Sequence, residues 1–256
     1  MRYKALFIDI DDTLLDYVPC CREAFDAAMA SLSAEWDVSS DELNVNELFT
    51  LFFNIAGRLF SEAKHGLHTI AEVMDLYPAE FMETSGLMAP KCSEAEKNAM
   101  IETFKHAFRA AWGETHSLVP GTMETLQGLK KKGYRLYAAS NSFGALQRRR
   151  MERAGLLPFF DDLFISMDIG YDKPDIRFFE HALKSINNNP HEKQKSDMPI
   201  HPHEVLMIGD SMTTDILGAK AAGWKTCFFN RRPAENPSLE VADYTIHSLT
   251  ELLEIC

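Results

Sequence analysis

Phe7-Ile8-Asp9-Ile10-Asp11-Asp12-Thr13-Leu14-Leu15 is an apolar strand that runs directly into a cluster of carboxylates. Each buried carboxylate disfavours the ionised form of its neighbours, so such a cluster usually needs a cation. In a strand, residues two apart point to the same side, which lets Asp9 and Asp11 address one site. Hard oxygen donors around a compact site suit Mg²⁺, which commonly takes one or two carboxylates together with phosphate oxygens and water. Read alone, the stretch also fits an acidic surface turn after an edge strand, since Asp and Thr are ordinary turn residues. The sequence downstream decides between the two.

Apolar runs recur at Lys4 to Ile10, Tyr134 to Ser140, Asp162 to Ser166, Val205 to Gly209 and Lys225 to Asn230, with Tyr244-Thr245-Ile246 as a weak last member. Helical patterns separate the later ones. Met123, Leu126 and Leu129 follow Pro120-Gly121 at helical spacing, and Lys130-Lys131-Lys132-Gly133 closes that helix with positive charge and a glycine. Phe143 to Ala154 and Thr213 to Ala222 end in the same way, at Gly155 and Gly223. Strands alternating with helices predict an α/β fold: a doubly wound parallel sheet with helices on both faces. Asp16 to Ser117 lacks strand runs, is rich in Ala, Leu, Phe, Met and Glu, and breaks near Val38-Ser39-Ser40, Gly66, Ser85-Gly86 and Pro90. It predicts roughly four helices. The expected organisation is a core of residues 1–16 and 117–256, interrupted by an all-α cap at residues 17–116.

The net charge of −12 argues against a nucleic-acid polymer as partner, because those sites are built on clustered Lys and Arg. It leaves room for a small phosphorylated ligand, since local charge can differ from the global sign. No apolar run approaches the ~20 residues needed to span a membrane, and the N-terminus has no signal-peptide pattern. Cys20, Cys21, Cys92, Cys227 and Cys256 form no CxxC pair and are odd in number, which suits reduced thiols. A cytoplasmic protein is expected. The polar stretch from Asn187 to Glu204 carries His191, His201 and His203, and its composition reads as a solvated loop rather than a metal site.

Ligands of open parallel sheets bind beyond the carboxyl ends of the strands. Those ends hold Asp9 and Asp11, then Ser140-Asn141, then Gly209-Asp210 with Asp215 shortly after, and Lys173-Pro174 lies between. Each residue type has a task in phosphoryl transfer. A carboxylate can attack phosphorus, and an acyl phosphate splits one difficult step into two. A second carboxylate can protonate the leaving oxygen and then deprotonate water. A cation offsets repulsion between anionic nucleophile and anionic phosphate, while a Lys and a hydroxyl hold the equatorial oxygens.

Asp9-Ile10-Asp11-Asp12-Thr13-Leu14, Ser140-Asn141, Lys173-Pro174-Asp175 and Gly209-Asp210-Ser211 through Asp215 together resemble the four-motif signature of the haloacid dehalogenase (HAD) superfamily. The inserted helices sit where that family's C1-type cap belongs. The resemblance implies Asp9 as nucleophile, Asp11 as general acid/base with its carbonyl on the metal, and Ser140 as a phosphate ligand. It implies Lys173 as the cation between nucleophile and phosphate, Asp210 as a direct Mg²⁺ ligand, and Asp215 as support for the metal's water shell or for Lys173. Asn141 is expected either to assist phosphate binding or to be structural. Asp12 reads as a turn residue where the family often has Gly, Asp16 as the hinge into the cap, and Asp175 as a helix start.

True dehalogenases of the family lack the second carboxylate of the first motif, so Asp11 speaks for phosphate esters. The C-terminal half, from VPGTMETLQGLKKKGYRLYAASNSF to DYTIHSL, is similar to the noncanonical pyrimidine nucleotidases, a 5′-nucleotidase group that more often has Thr-Asn-Gly where this chain has Ser140-Asn141-Ser142. The expected function is Mg²⁺-dependent hydrolysis of a small phosphorylated metabolite, such as a nucleoside 5′-monophosphate, through an aspartyl phosphate. The alternatives are a sugar-phosphate phosphatase, a phosphomutase of the β-phosphoglucomutase type, a 2-haloacid dehalogenase and a non-catalytic binding protein. In the cap, Phe53 and Arg58 share one helix with Phe52, Asn54, Phe60, Lys64 and His65 and could meet a nucleobase and a second polar group. The simpler reading makes the phenylalanines cap core and the cations solvated.

Overall fold

The structure is a computed structural model and describes residues 2–36, 38, 44–64, 66–88, 92–189, 198–232 and 241–256. His65, His191 and the expected breaks at Ser39-Ser40 and Pro90 lie outside the described residues. The chain divides into two compact units, Met1–Tyr17 with His116–Cys256, and Val18–Thr115.

The first unit is built on six parallel strands: β1 (Ala5–Ile8), β2 (Leu136–Ser140), β3 (Asp162–Ile165), β4 (Val205–Gly209), β5 (Lys225–Phe229) and β6 (Tyr244–Ile246). Their order is β3-β2-β1-β4-β5-β6. Leu6, Ile8, Leu136, Ala138, Leu206 and Ile208 face one side, where Leu126 and Leu129 of helix Thr122–Lys131 and Met151 of helix Gly144–Arg153 cover them. Ala5, Phe7, Tyr137, Ala139, Val205 and Met207 face the other, under Phe178, Phe179 and Ala182 of helix Ile176–Asn188. Burial on both faces explains why the strands read as unbroken apolar runs rather than as alternation. The ring of Phe7 sits 4.9 Å from Tyr137 and 4.6 Å from Trp224 between centroids, which pins β1 at the centre of the sheet.

Strand β1 stops at Ile8, two residues earlier than its apolar run. The chain then closes a tight turn in which the amides of Thr13, Leu14 and Leu15 all donate to the carbonyl of Ile10. Asp12 adopts φ 59° there, a left-handed conformation that Asp tolerates better than most residues and Gly adopts freely. Beyond the turn the two chain crossings are paired to each other: Leu15 and Leu118 form an antiparallel bridge, Asp16 N donates to Ser117 O (2.8 Å) and Val119 N to Leu14 O (3.0 Å). The carboxylate of Asp16 accepts from Arg231 (2.5 Å) and Arg232 (2.8 Å).

The second unit carries α1 (Tyr17–Glu35), α2 (Val45–Lys64), α3 (Ile70–Thr84) and α4 (Glu94–Trp112). Helices α3 and α4 each start with a capping box, Thr69 with Glu72 and Ser93 with Glu96, which satisfies amides that have no partner inside the helix. Its core is aromatic: Phe25, Phe52, Phe81 and Phe104 are fully buried, and Phe52 also meets Tyr77 and Phe108. No described helix is long and apolar enough to cross a membrane.

Candidate active site

Register fixes the centre of the site. Ile8 pairs with Ala138 on one side and Ile208 on the other, so the residue after β1, Asp9, stands between the ends of β2 and β4. The sheet order reverses direction at this place, where open α/β sheets bind their ligands. Ser140 ends β2 and Gly209-Asp210 ends β4.

Lys173 ties these ends together. Its ammonium donates to Asp9 Oδ1 (2.8 Å), Asp215 Oδ1 (2.6 Å) and the carbonyl of Ala139 (2.8 Å), using all three of its protons. Burial alone would lower the Lys173 pKa, but the Asp215 and Asp9 carboxylates outweigh it and hold the ammonium charged, above the ordinary lysine range. Asp9 goes the other way: burial pushes its carboxyl up to about 7, with Lys173 pulling it down and Asp215 pushing it further up. The second oxygen of Asp9 accepts from Thr13 Oγ1 (3.2 Å).

Asp215 reaches Lys173 from a π-helical turn, Met212–Leu217, followed by a short α-helical turn, Gly218–Ala221. The sequence pattern from Thr213 predicts regular α-helix, and the structure places a π-turn there instead. The wider turn lets Asp215 fold back, so that its second oxygen accepts from Ser211 N (3.0 Å), and π-turns of this kind are frequent at functional sites. Gly209 makes the approach possible, since a Cβ there would stand 2.2 Å from Asp215 Oδ2. Carboxylate oxygens of Asp9, Asp210 and Asp215 all lie within 4.8 Å of one another, a hard-oxygen set suited to Mg²⁺.

Asp11 lies beyond the end of β1, and its carboxylate stands close enough to Asp9 to push that carboxyl up as well. The Asp11 carboxylate accepts from Arg150 Nη1 (2.6 Å) and Gln147 Nε2 (2.7 Å), and is not part of the three-carboxylate cluster. Sequence reasoning missed both partners. They stand in the helix Gly144–Arg153 among Arg148, Arg149, Glu152 and Arg153, where a polar run reads as a solvated face. The available signal was their spacing: with Gly144 and Met151 they form the buried side of that helix.

Ser140 is buried, and its hydroxyl accepts from Gln147 Nε2 (3.2 Å), which leaves the hydroxyl proton for an anion. Asn141 spends both ends of its amide on the backbone of Lys173, donating to its carbonyl and accepting from its N–H, each at 2.8 Å. Its side chain therefore braces the lysine. Asp175 caps the helix Ile176–Asn188 by accepting from Arg177 N, and Asp12 accepts from Tyr17 N. Phe53 is half-buried near Phe49, while Arg58 is paired with Glu62 (2.9 Å) and Glu80 (2.5 Å).

The sequence profile of the haloacid dehalogenase-like hydrolases matches residues 3–223. The chain belongs to this family. The pyrimidine 5′-nucleotidase PynA of Streptococcus pneumoniae is 30% identical over 256 residues, which cover 99% of this chain and 95% of that protein. The glyceraldehyde 3-phosphate phosphatase of Pyrococcus furiosus is 35% identical over 257 residues, covering 99% and 93%. Among solved structures, the magnesium-bound HAD-hydrolase YfnB of Bacillus subtilis superposes with a TM-score of 0.78 at 26% identity, covering 100% of this chain and 99% of that one. The α/β core is thus that of a HAD-type hydrolase, an enzyme with phosphatases among its relatives.

Proposed function

We propose that this HAD-type hydrolase cleaves phosphate monoesters through an aspartyl phosphate on Asp9, with Mg²⁺ as cofactor. The observation that carries the reading is the division of labour between two carboxylates, one seated in the cluster beside Lys173 and the other held apart by Arg150 and Gln147. Asp9 attacks phosphorus as the ester oxygen departs, and Asp11 gives that oxygen a proton. Asp11 then takes a proton from the water that releases phosphate from Asp9. Ser140 donates to a phosphoryl oxygen, and Lys173, held against Asp9, neutralises nucleophile and phosphate through its charge. Asp9, Asp210 and the carbonyl of Asp11 would hold Mg²⁺, with Asp215 in support, and the bound ion supplies charge neutralisation.

For the substrate we infer a small phosphorylated metabolite, with nucleoside 5′-monophosphates first and sugar phosphates second, since relatives along the whole chain include a pyrimidine 5′-nucleotidase and a triose-phosphate phosphatase. The cysteines, none of which is in a disulfide, suit a reducing, cytoplasmic setting. Arg58 stays outside this reading because two carboxylates already engage its guanidinium.

The test is phosphate release from a panel of nucleotides and sugar phosphates with Mg²⁺, with and without EDTA, and with Asp9→Asn as control. The expected result is release that both EDTA and the substitution abolish. Repeated turnover by Asp9→Asn would refute the nucleophile, and preference for a sugar phosphate would overturn the order of substrates.

A further inference from the structure

Gln147 and Arg150 form a built device around Asp11. Both side chains are fully buried. Arg150 Nη1 donates to Asp11 Oδ1 (2.6 Å) and to Gln147 Oε1 (2.9 Å). With its carbonyl turned toward the guanidinium, Gln147 must point its NH₂ the other way, and that group meets Asp11 Oδ2 (2.7 Å) and Ser140 Oγ (3.2 Å). One arginine therefore sets the orientation of the glutamine, and the two together hold one oxygen of Asp11 each. A carboxylate gripped at both oxygens has its plane fixed, yet each oxygen keeps a second lone-pair site for an incoming group.

The geometry points to Gln147 and Arg150 as positioning residues for acid/base catalysis. They keep Asp11 out of the cation cluster of Asp9, Asp210 and Asp215 and aimed at the ester oxygen. Without them a fourth carboxylate is free to turn toward a nearby dication, where it can no longer serve the leaving group. The shared Gln147 contact also links the phosphate-binding hydroxyl of Ser140 to the general acid, so that phosphate and leaving group are registered against one another. This inference rests on the phosphatase reading above.

Its signature is dependence on the leaving group. An alkyl phosphate must receive a proton from Asp11 as its P–O bond breaks and the bond from Asp9 to phosphorus forms. p-Nitrophenyl phosphate releases a stable phenolate and needs no proton at that step. First-turnover rates with both esters would be measured for wild type, Arg150→Met, Arg150→Lys, Gln147→Met and Asp11→Asn, with folding followed by circular dichroism. Arg150→Met should lose about 100-fold on the alkyl ester, in the range of general acid catalysis, and less than about tenfold in nitrophenolate release. Arg150→Lys should recover part of the alkyl rate, and KM should change little in both. Gln147→Met, which leaves the Arg150–Asp11 pair in place, should show a smaller skew in the same direction if Arg150→Met does not fold. Equal losses on the two esters in folded variants, or no loss, would overturn the proposal. Absence of turnover by wild type on either ester would sink the phosphatase reading itself, and this inference with it.

Discussion

Replacing Lys173 by Met tests the electrostatics of the site without touching the nucleophile. Methionine is close to lysine in length and apolar, so packing is largely kept while the ammonium is lost. In the metal-free protein that ammonium is hydrogen-bonded to two buried carboxylates, at 2.8 Å from Asp9 and 2.6 Å from Asp215, and its own side chain is 2% exposed. Breaking a buried ion pair by removing one partner costs about 3–5 kcal/mol. For a unit of this size each kcal/mol moves the melting temperature by roughly 2–4 °C, so a fall of about 6–20 °C is expected. The assay is thermal unfolding at pH 8; because Lys173 pulls the Asp9 carboxyl down, its loss lets Asp9 take up a proton more readily, which places the expected fall in the lower part of that range. Mg²⁺ should restore much of the loss, because a cation at 100 times its Kd stabilises by about 2.7 kcal/mol and the variant no longer repels it with an ammonium. The rise in melting temperature with Mg²⁺ should therefore be larger in the variant than in wild type, while phosphate release is abolished. A variant that melts with wild type, or responds less to Mg²⁺, would show that the carboxylates do not depend on Lys173 for their charge balance.

Two further outcomes follow from the same geometry. Asp9 has a folded pKa of about 7 against an ordinary value of 3.8, so in the metal-free protein its favourable contribution is complete below pH 3.8 and is lost as pH rises through 7. Because Mg²⁺ takes the ionised form and competes with the proton, the Mg²⁺-induced melting shift should grow from pH 5.5 to about 7 and level off above it; a flat profile would remove Asp9 from the cation site. In Gly209→Ala the new methyl would meet Asp215 Oδ2 at 2.2 Å; urea unfolding should show a loss of about 1–3 kcal/mol, with weaker Mg²⁺ binding by calorimetry, and an unchanged midpoint would refute the close approach.

The sheet was readable because its central strands are buried on both faces and its polar site residues gather at the carboxyl ends of those strands. Val205–Gly209 and Tyr244–Ile246 occur where the apolar runs place them. The π-turn at Met212–Leu217 was not readable, because its cause is tertiary: Asp215 must reach Lys173 and the Ser211 amide at once. Gln147 and Arg150 were hidden for a related reason. A buried arginine is justified only by the carboxylate it meets, and that carboxylate lies 139 positions away in the chain. Asn141 could be assigned to brace Lys173 only when the lysine backbone was seen against its amide.

The paired crossing at Leu15 and Leu118 bears on how this architecture tolerates change. The backbone bonds from Asp16 to Ser117 and from Val119 to Leu14 close the excursion at its base, so β1 and the helix Thr122–Lys131 are joined as if by a short hairpin. The entropy of closing a loop grows only with the logarithm of its length, about 0.6 kcal/mol for each doubling. An insertion anchored in this way can be lengthened, shortened or exchanged while the β1–β2 pairing next to it meets nearly the same chain-closure penalty. The sheet is thereby thermodynamically insulated from changes in the length of the segment inserted between these two crossings.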